Sequence, residues 1–168
     1  MSKRIYVGKF ILIALLLAAA AICVYFYNAN SDEKAIRKLL DTLVQDLSKT
    51  PGESTAAALL KVNSASTLFT DPLMLSMDKY ASGSFSREQQ LSHLGRYRTM
   101  IADARITISD LHLELKSPTE AAGYFSARFS GSMKNGMSDT IIKEVDIQFV
   151  KSGKKWLISS VQFRNILH

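Results

Sequence analysis

The sequence predicts an α+β protein: an N-terminal transmembrane helix followed by three helices packed on a curved antiparallel sheet. Three observations carry that reading. Phe10 to Tyr27 holds no charged residue, and every Asp and Glu lies after position 31. Apolar residues then recur at helical spacing between Ile36 and Leu47. From Ala104 to Asn165 the pattern alternates with period two and breaks at turn residues, as four consecutive strands would.

The front of the chain divides into a basic tail (1–9), an apolar segment (10–28) and a domain (31–168). Eighteen helical residues reach roughly 27 Å, enough for a hydrocarbon core about 30 Å thick. Tyr25 and Tyr27 fall where an aromatic belt sits. Ala18 to Ala21 offers an alternative, a cleaved signal peptide, but cleavage there leaves six apolar residues at a free terminus. Lipidation of Cys23 is a third reading, although Ile22 stands where a lipobox wants a small residue. Lys3, Arg4 and Lys9 balance Lys34, Arg37 and Lys38 across the segment, so the signal-like layout decides for a domain exported to a bacterial periplasm.

Charge and cysteine usage exclude several classes. The net charge is +6, half of it in the basic tail, and the remainder is interleaved with acids. No basic run in the domain exceeds Lys154-Lys155, so nucleic acid is not an expected partner. A single cysteine forbids an intrachain disulfide, and no Cys/His cluster has metal-ligand spacing. No metal or cofactor is expected.

In the helical layer, Ser31 is the expected cap of the first helix, with Asp32 and Glu33 in its first turn. Its apolar stripe is Ile36, Leu39, Leu40, Leu43, Val44 and Leu47, and Pro51-Gly52 ends it. A short second helix runs from Thr55 to Val62, with a further helical turn over Ser64 to Phe69 before Asp71-Pro72. Leu73 to Met77 reads as a small edge strand and Ala81 to Phe85 as a Ser/Gly loop. Ser86 with Gln89 forms a capping box for a third helix to about Ala102. That helix turns Leu91, Leu94, Tyr97 and Ile101 inward and leaves Arg96 and Arg98 on a solvated face.

In the sheet, Ile106 and Ile108 alternate in one phase and Leu111, Leu113 and Leu115 in the other, so one extra residue lies near Ser109-Asp110. Pro118 marks a turn and Asn135-Gly136 a hairpin. On the second strand Gly123, Phe125, Ala127, Phe129 and Gly131 share a face. The last strand is apolar in both phases: Trp156 and Ile158 in one, Leu157, Val161 and Phe163 in the other. Burial on both faces would follow, with helices on one side and a second copy of the chain on the other, giving a homodimer through the sheet.

This element order, closing on the strand Lys-Lys-Trp-Leu-Ile-Ser-Ser-Val-Gln-Phe (154–163), resembles the nuclear transport factor 2-like superfamily, which includes SnoaL-like proteins and ketosteroid isomerase. The match covers about Ser31 to Arg164. The resemblance implies a cone-shaped domain whose sheet wraps the first helix and whose mouth can hold a small ligand. An interior pocket would then draw on Trp156, Ser160 and Gln162, or on Phe125 and Phe129. Ketosteroid isomerase places an inward tyrosine on its first helix, where this chain has Ile and Leu. SnoaL-like sequences often carry a histidine on the final strand, where this chain has Ser160, Gln162 and Arg164. The weak catalytic candidates are Asp110 and His112, two apart on one strand and so pointing the same way unless the bulge intervenes. His93 and His168 offer less. The leading expectation is a membrane-anchored, non-catalytic binding or assembly module in the periplasm, an architecture similar to inner-membrane components of type IV secretion systems. The alternative is a SnoaL-like enzyme or carrier acting on a small hydrophobic cyclic molecule.

Overall fold

The computed structural model describes residue 17 and residues 29–77 and 81–164. The chain divides into two compact units, Met1–Lys34 and Ala35–His168. In the first, Leu17 and residues 29–34 are helical. The expected anchor at 10–28 falls, apart from Leu17, outside the described residues. Among the described residues no helix is long and apolar enough to cross a membrane.

The first helix, α1, covers residues 29–47. Ser31 therefore lies inside it and does not cap it. Asn30 and Ala29 carry no Gly or Pro signal that would stop the helix from starting earlier. Ile36, Leu39 and Leu40 are buried, and Leu43 packs partly against them, which is the i, i+3, i+4, i+7 stripe of a helix covering a core. Helix α2 spans Thr55–Thr67 as one unbroken element capped by Ser54, whose hydroxyl accepts from the Ala57 amide. Helix α3 spans Arg87–Met100. Its capping box is present: Ser86 Oγ accepts from the Gln89 amide, and Gln89 Oε1 accepts from the Ser86 amide at 2.9 Å.

Six strands form one sheet in the order β2-β1-β6-β5-β4-β3. They are β1 (Phe69–Met77), β2 (Ala81–Phe85), β3 (Ile101–Ser117), β4 (Glu120–Met133), β5 (Ser138–Ser152) and β6 (Lys155–Arg164). The last four follow the expected meander, and Gly136 turns the β4–β5 hairpin with φ 87°. Three expectations need correction. The Ser/Gly stretch is strand β2, which pairs antiparallel with β1. β1 is a nine-residue interior strand rather than a small edge strand, and it absorbs Asp71-Pro72 within a register shift between Phe69 and Met74. It also runs parallel to β6, so the sheet is mixed. Everything between β1 and β6 intervenes before the chain returns, which leaves room for a parallel crossover.

Two of the sheet's register shifts bear on the sequence reading. The phase switch read at Ser109-Asp110 is a register shift between Ser109 and His112, with Asp110 at φ 54°. A second, at Ser159, was hidden: Gln148 pairs with Ser160 and Phe149 with Ile158. That extra residue brings Trp156, Ile158, Val161 and Phe163 onto one face, although they lie in two phases of the sequence. The last strand is thus apolar mainly on one side, and the inference of a covered second face loses its premise.

Candidate functional site

The face that β3–β6 share with β1 is built from alternate residues. Across the strands, Phe125 lies opposite Val145 and Val145 opposite Phe163, while Gly123 lies opposite Ile147 and Ile147 opposite Val161. These side chains form one buried cluster with Ile36, Leu39 and Leu40 of α1. Lys143, half-buried, shares that face between Ile141 and Val145, opposite Ala127. Gly123 is required there, because a Cβ would stand 2.9 Å from the His112 carbonyl oxygen.

The ring contact between Phe129 and Phe163 fixes which face is concave. Phe129 lies opposite Ile141 on β5, and Phe163 lies opposite Val145 on the other side of that strand. Four residues along and two strands across, their Cα atoms would stand roughly 16 Å apart on a flat sheet. Two phenylalanine side chains leaning together do not close that gap. Their ring centroids are nevertheless 6.3 Å apart, so the sheet curls toward the face they share. Both rings are only half-buried. Together with Leu75, Ile108 and Leu111 they line the looser margin of the core, while Phe149 and Ile158 are sealed at the other end of the same face.

The pocket residues expected from the sequence separate. Phe125 and Trp156 belong to the buried cluster, and Phe129 lies at its margin. Ser160 and Gln162 lie on the opposite face, since Ser160 pairs with exposed Gln148 and Gln162 pairs with Asp146. The Ser159 bulge explains the split. It also means that the inward residues near the end of β6 are Val161 and Phe163.

Asp110 and His112 are both exposed. His112 stacks on Tyr124 of β4 with ring centroids 4.5 Å apart, on the convex face, and the bulge turns Asp110 into a left-handed backbone. Neither residue reaches the concave side, so they form no acid–base pair for a ligand held there. His93 is exposed and meets the edge of the Phe85 ring at 5.4 Å. His168 lies outside the described residues. Among the described residues no group of three or more His, Cys, Asp or Glu is placed to hold a metal.

The sequence reading missed a buried ionic clasp beside the helices. Arg98 is 5% exposed and not solvated, and the side chain of Glu53 is 4% exposed. Arg98 pairs with Glu53 Oε1, and Lys61 Nζ meets Oε2 at 2.9 Å, so both carboxylate oxygens are engaged. Arg98 also donates to the carbonyls of Asp46 and Ser48, and Lys49 Nζ donates to those of Arg98 and Ile101 at 2.8 and 2.7 Å. Cations therefore satisfy the end carbonyls of α1 and α3, where the helix dipole is negative. Burial works to raise the Glu53 pKa, but hydrogen bonds from Arg98 and Lys61 and their two charges outweigh it and hold it below the ordinary 4.5. A carboxylate so engaged is a staple, not a general base. Next to it, burial pushes the Tyr97 phenol up, against the opposing charge of Arg98. No local pattern marks this pairing, because its partners lie 45 residues apart.

No family model matches this sequence, and no curated protein matches it. Solved structures do. One is provisionally named a scytalone dehydratase, from Novosphingobium aromaticivorans, with TM-score 0.71 and 13% identity over 83% of this chain and 87% of that one. The fold is nuclear transport factor 2-like. The hexachlorocyclohexane dehydrochlorinase LinA-type3 of Novosphingobium barchaimii is similar with TM-score 0.68 and 13% identity, over 83% of this chain and 90% of that one. A Mycobacterium tuberculosis protein of unknown function gives 0.62 and 15%, over 80% and 71%. At such identities the likeness concerns nuclear transport factor 2-like architecture alone.

Proposed function

We propose that the domain binds a small hydrophobic, cyclic molecule against its concave face, as a carrier. The observation that carries this reading is the half-buried Phe129–Phe163 pair at the margin of the apolar cluster on the concave face. Ligand sites are mostly apolar and concave, and aromatic rings there supply contact area at little entropic cost. Solved structures of the same fold include proteins named for a dehydratase and for a dehydrochlorinase of hexachlorocyclohexane, a small cyclic compound. The eighteen uncharged residues Phe10 to Tyr27 support a membrane-tethered location for such a carrier.

A neutral naphthyl fluorophore, N-phenyl-1-naphthylamine, tests this. At ~0.3 kcal/mol per non-hydrogen atom it should bind saturably with a Kd of about 0.2 mM or tighter. Phe163→Ala should weaken binding at least several-fold while near-ultraviolet circular dichroism confirms folding. Asp110→Asn and His112→Gln should leave binding unchanged. Fluorescence that rises without saturation, or is indifferent to Phe163, would overturn the reading.

A further inference from the structure

Phe129 and Phe163 flank β5 on the concave face, and the residue midway between them is Lys143. Phe129 lies opposite Ile141 and Phe163 opposite Val145, while Lys143 stands between those two, opposite Ala127. It is thus the diagonal cross-strand neighbour of both phenylalanines, at roughly 7–8 Å, a separation that aromatic and long side chains span. The rings lean toward one another until their centroids are 6.3 Å apart, so the lysine stem rises where they converge. Lys143 is half-buried. A lysine so placed covers its methylenes with apolar neighbours and keeps its ammonium toward water.

Among the described residues of β3–β6, Asp139 and Lys151 are the other charged positions on this face, and both lie away from the rings. Asp139 is exposed opposite Gly131, four residues along β5 and so roughly 13 Å from Lys143. Its carboxylate accepts from the Thr140 amide at 2.7 Å. Lys151 is beyond the sealed end, with its ammonium 5.5 Å from the centroid of the Trp156 ring. Glu144 is adjacent in sequence but faces the convex side, where its carboxylate accepts from the Ser126 hydroxyl at 2.7 Å. The aromatic margin therefore meets a cation, and ligand sites of this kind join apolar walls to a few placed polar groups.

We propose that Lys143 selects the ligand: the molecule held against Phe129 and Phe163 is a cyclic apolar acid, whose anionic oxygen accepts from the Lys143 ammonium. The proposal rests on the small-molecule reading above and adds the charge of the ligand to it. An ammonium has three donors, so Lys143 can hold a protein group and a ligand oxygen at once. The charge-assisted bond fixes one end of the molecule at the rim while its ring system lies on the phenylalanines.

Two probes with one scaffold test this on the full chain. 8-Anilinonaphthalene-1-sulfonate is N-phenyl-1-naphthylamine with a sulfonate added, so the ratio of their affinities reads the charge. The binding compared is the saturable part that Phe163→Ala weakens. The sulfonate should bind about five-fold tighter or more, the gain expected of an ion pair at a partly covered site. Lys143→Met should abolish that preference, and Lys143→Arg should retain it, with near-ultraviolet circular dichroism confirming that each variant folds. Lys116→Gln, which removes an exposed lysine paired with Glu114, should retain it as well. Equal affinities for the two probes in the parent chain, or a preference indifferent to Lys143, overturn the proposal and leave the carrier reading standing. If neither probe binds saturably, the carrier reading fails and the proposal falls with it.

Discussion

The concave face and the ionic clasp are both buried, and they are held by opposite means. On the concave face, alternate strand residues meet a helical stripe, and burial in water's absence is itself the stabilising term. In the clasp, Arg98 and Glu53 give up hydration and regain it only through pairing with each other, with Lys61 and with helix-end carbonyls. The first region has a loose margin at Phe129 and Phe163, which the proposed ligand would fill. The second engages both carboxylate oxygens of Glu53 and so joins three segments.

Deleting one side of each region should cost similar amounts for different reasons. Arg98→Ala should lower unfolding free energy by about 3–5 kcal/mol, because buried Glu53 keeps only Lys61 and the carbonyls of Asp46 and Ser48 lose their donor. Phe149→Ala, in the sealed part of the core, should cost about 3–5 kcal/mol through a cavity. Urea denaturation measures both. The comparison sharpens with the double variant Arg98→Met, Glu53→Leu, which should recover most of the first loss, since an apolar pair of similar volume often replaces a buried ion pair. No second substitution of that kind refills the Phe149 cavity.

A smaller effect is expected at Gly131, where β4 passes β3 so closely that a Cβ would lie 2.3 Å from the Asp103 carbonyl oxygen. Gly131→Ala must displace backbone and should destabilise by about 1–3 kcal/mol. The clasp also predicts a pH dependence. The folded-state pKa of Glu53 lies below its ordinary 4.5, so its contribution is fully present above that value and fades as pH falls through the folded one. Stability of the Glu53→Gln variant should accordingly fall less steeply below about pH 4.5 than that of the parent chain. The smallest change is Asp110→Gly, which relieves a φ of 54° and should stabilise by less than about 1 kcal/mol, without altering ligand binding.

How far the sequence could be read follows the same division. Periodicity exposed the stripe Ile36-Leu39-Leu40, and a phase switch located the Ser109-Asp110 bulge, because both are repeats or breaks of repeats. β1 was legible only over Leu73 to Met77, because Pro72 interrupts its first half, and β2 read as a loop, because Ser-Gly-Ser lacks the apolar alternation of a strand. The two apolar phases of β6 fitted either a strand covered on both sides or a bulged one, and only pairing with β5 chooses the bulge. That choice moved Ser160 and Gln162 off the concave face and put Phe163 on it. Arg98 and Glu53 were beyond reach, since a pair joined through tertiary contact leaves no local pattern.

The account rests on the margin around Phe129 and Phe163 being where a small hydrophobic molecule sits. Nuclear Overhauser effects between bound N-phenyl-1-naphthylamine and the protein's methyl groups test this most directly. The account predicts contacts to Ile108, Leu75, Val145 and Val161, all on the concave face. Contacts confined to Leu59 and Leu60 on the exposed side of α2, or to the convex face, would contradict it.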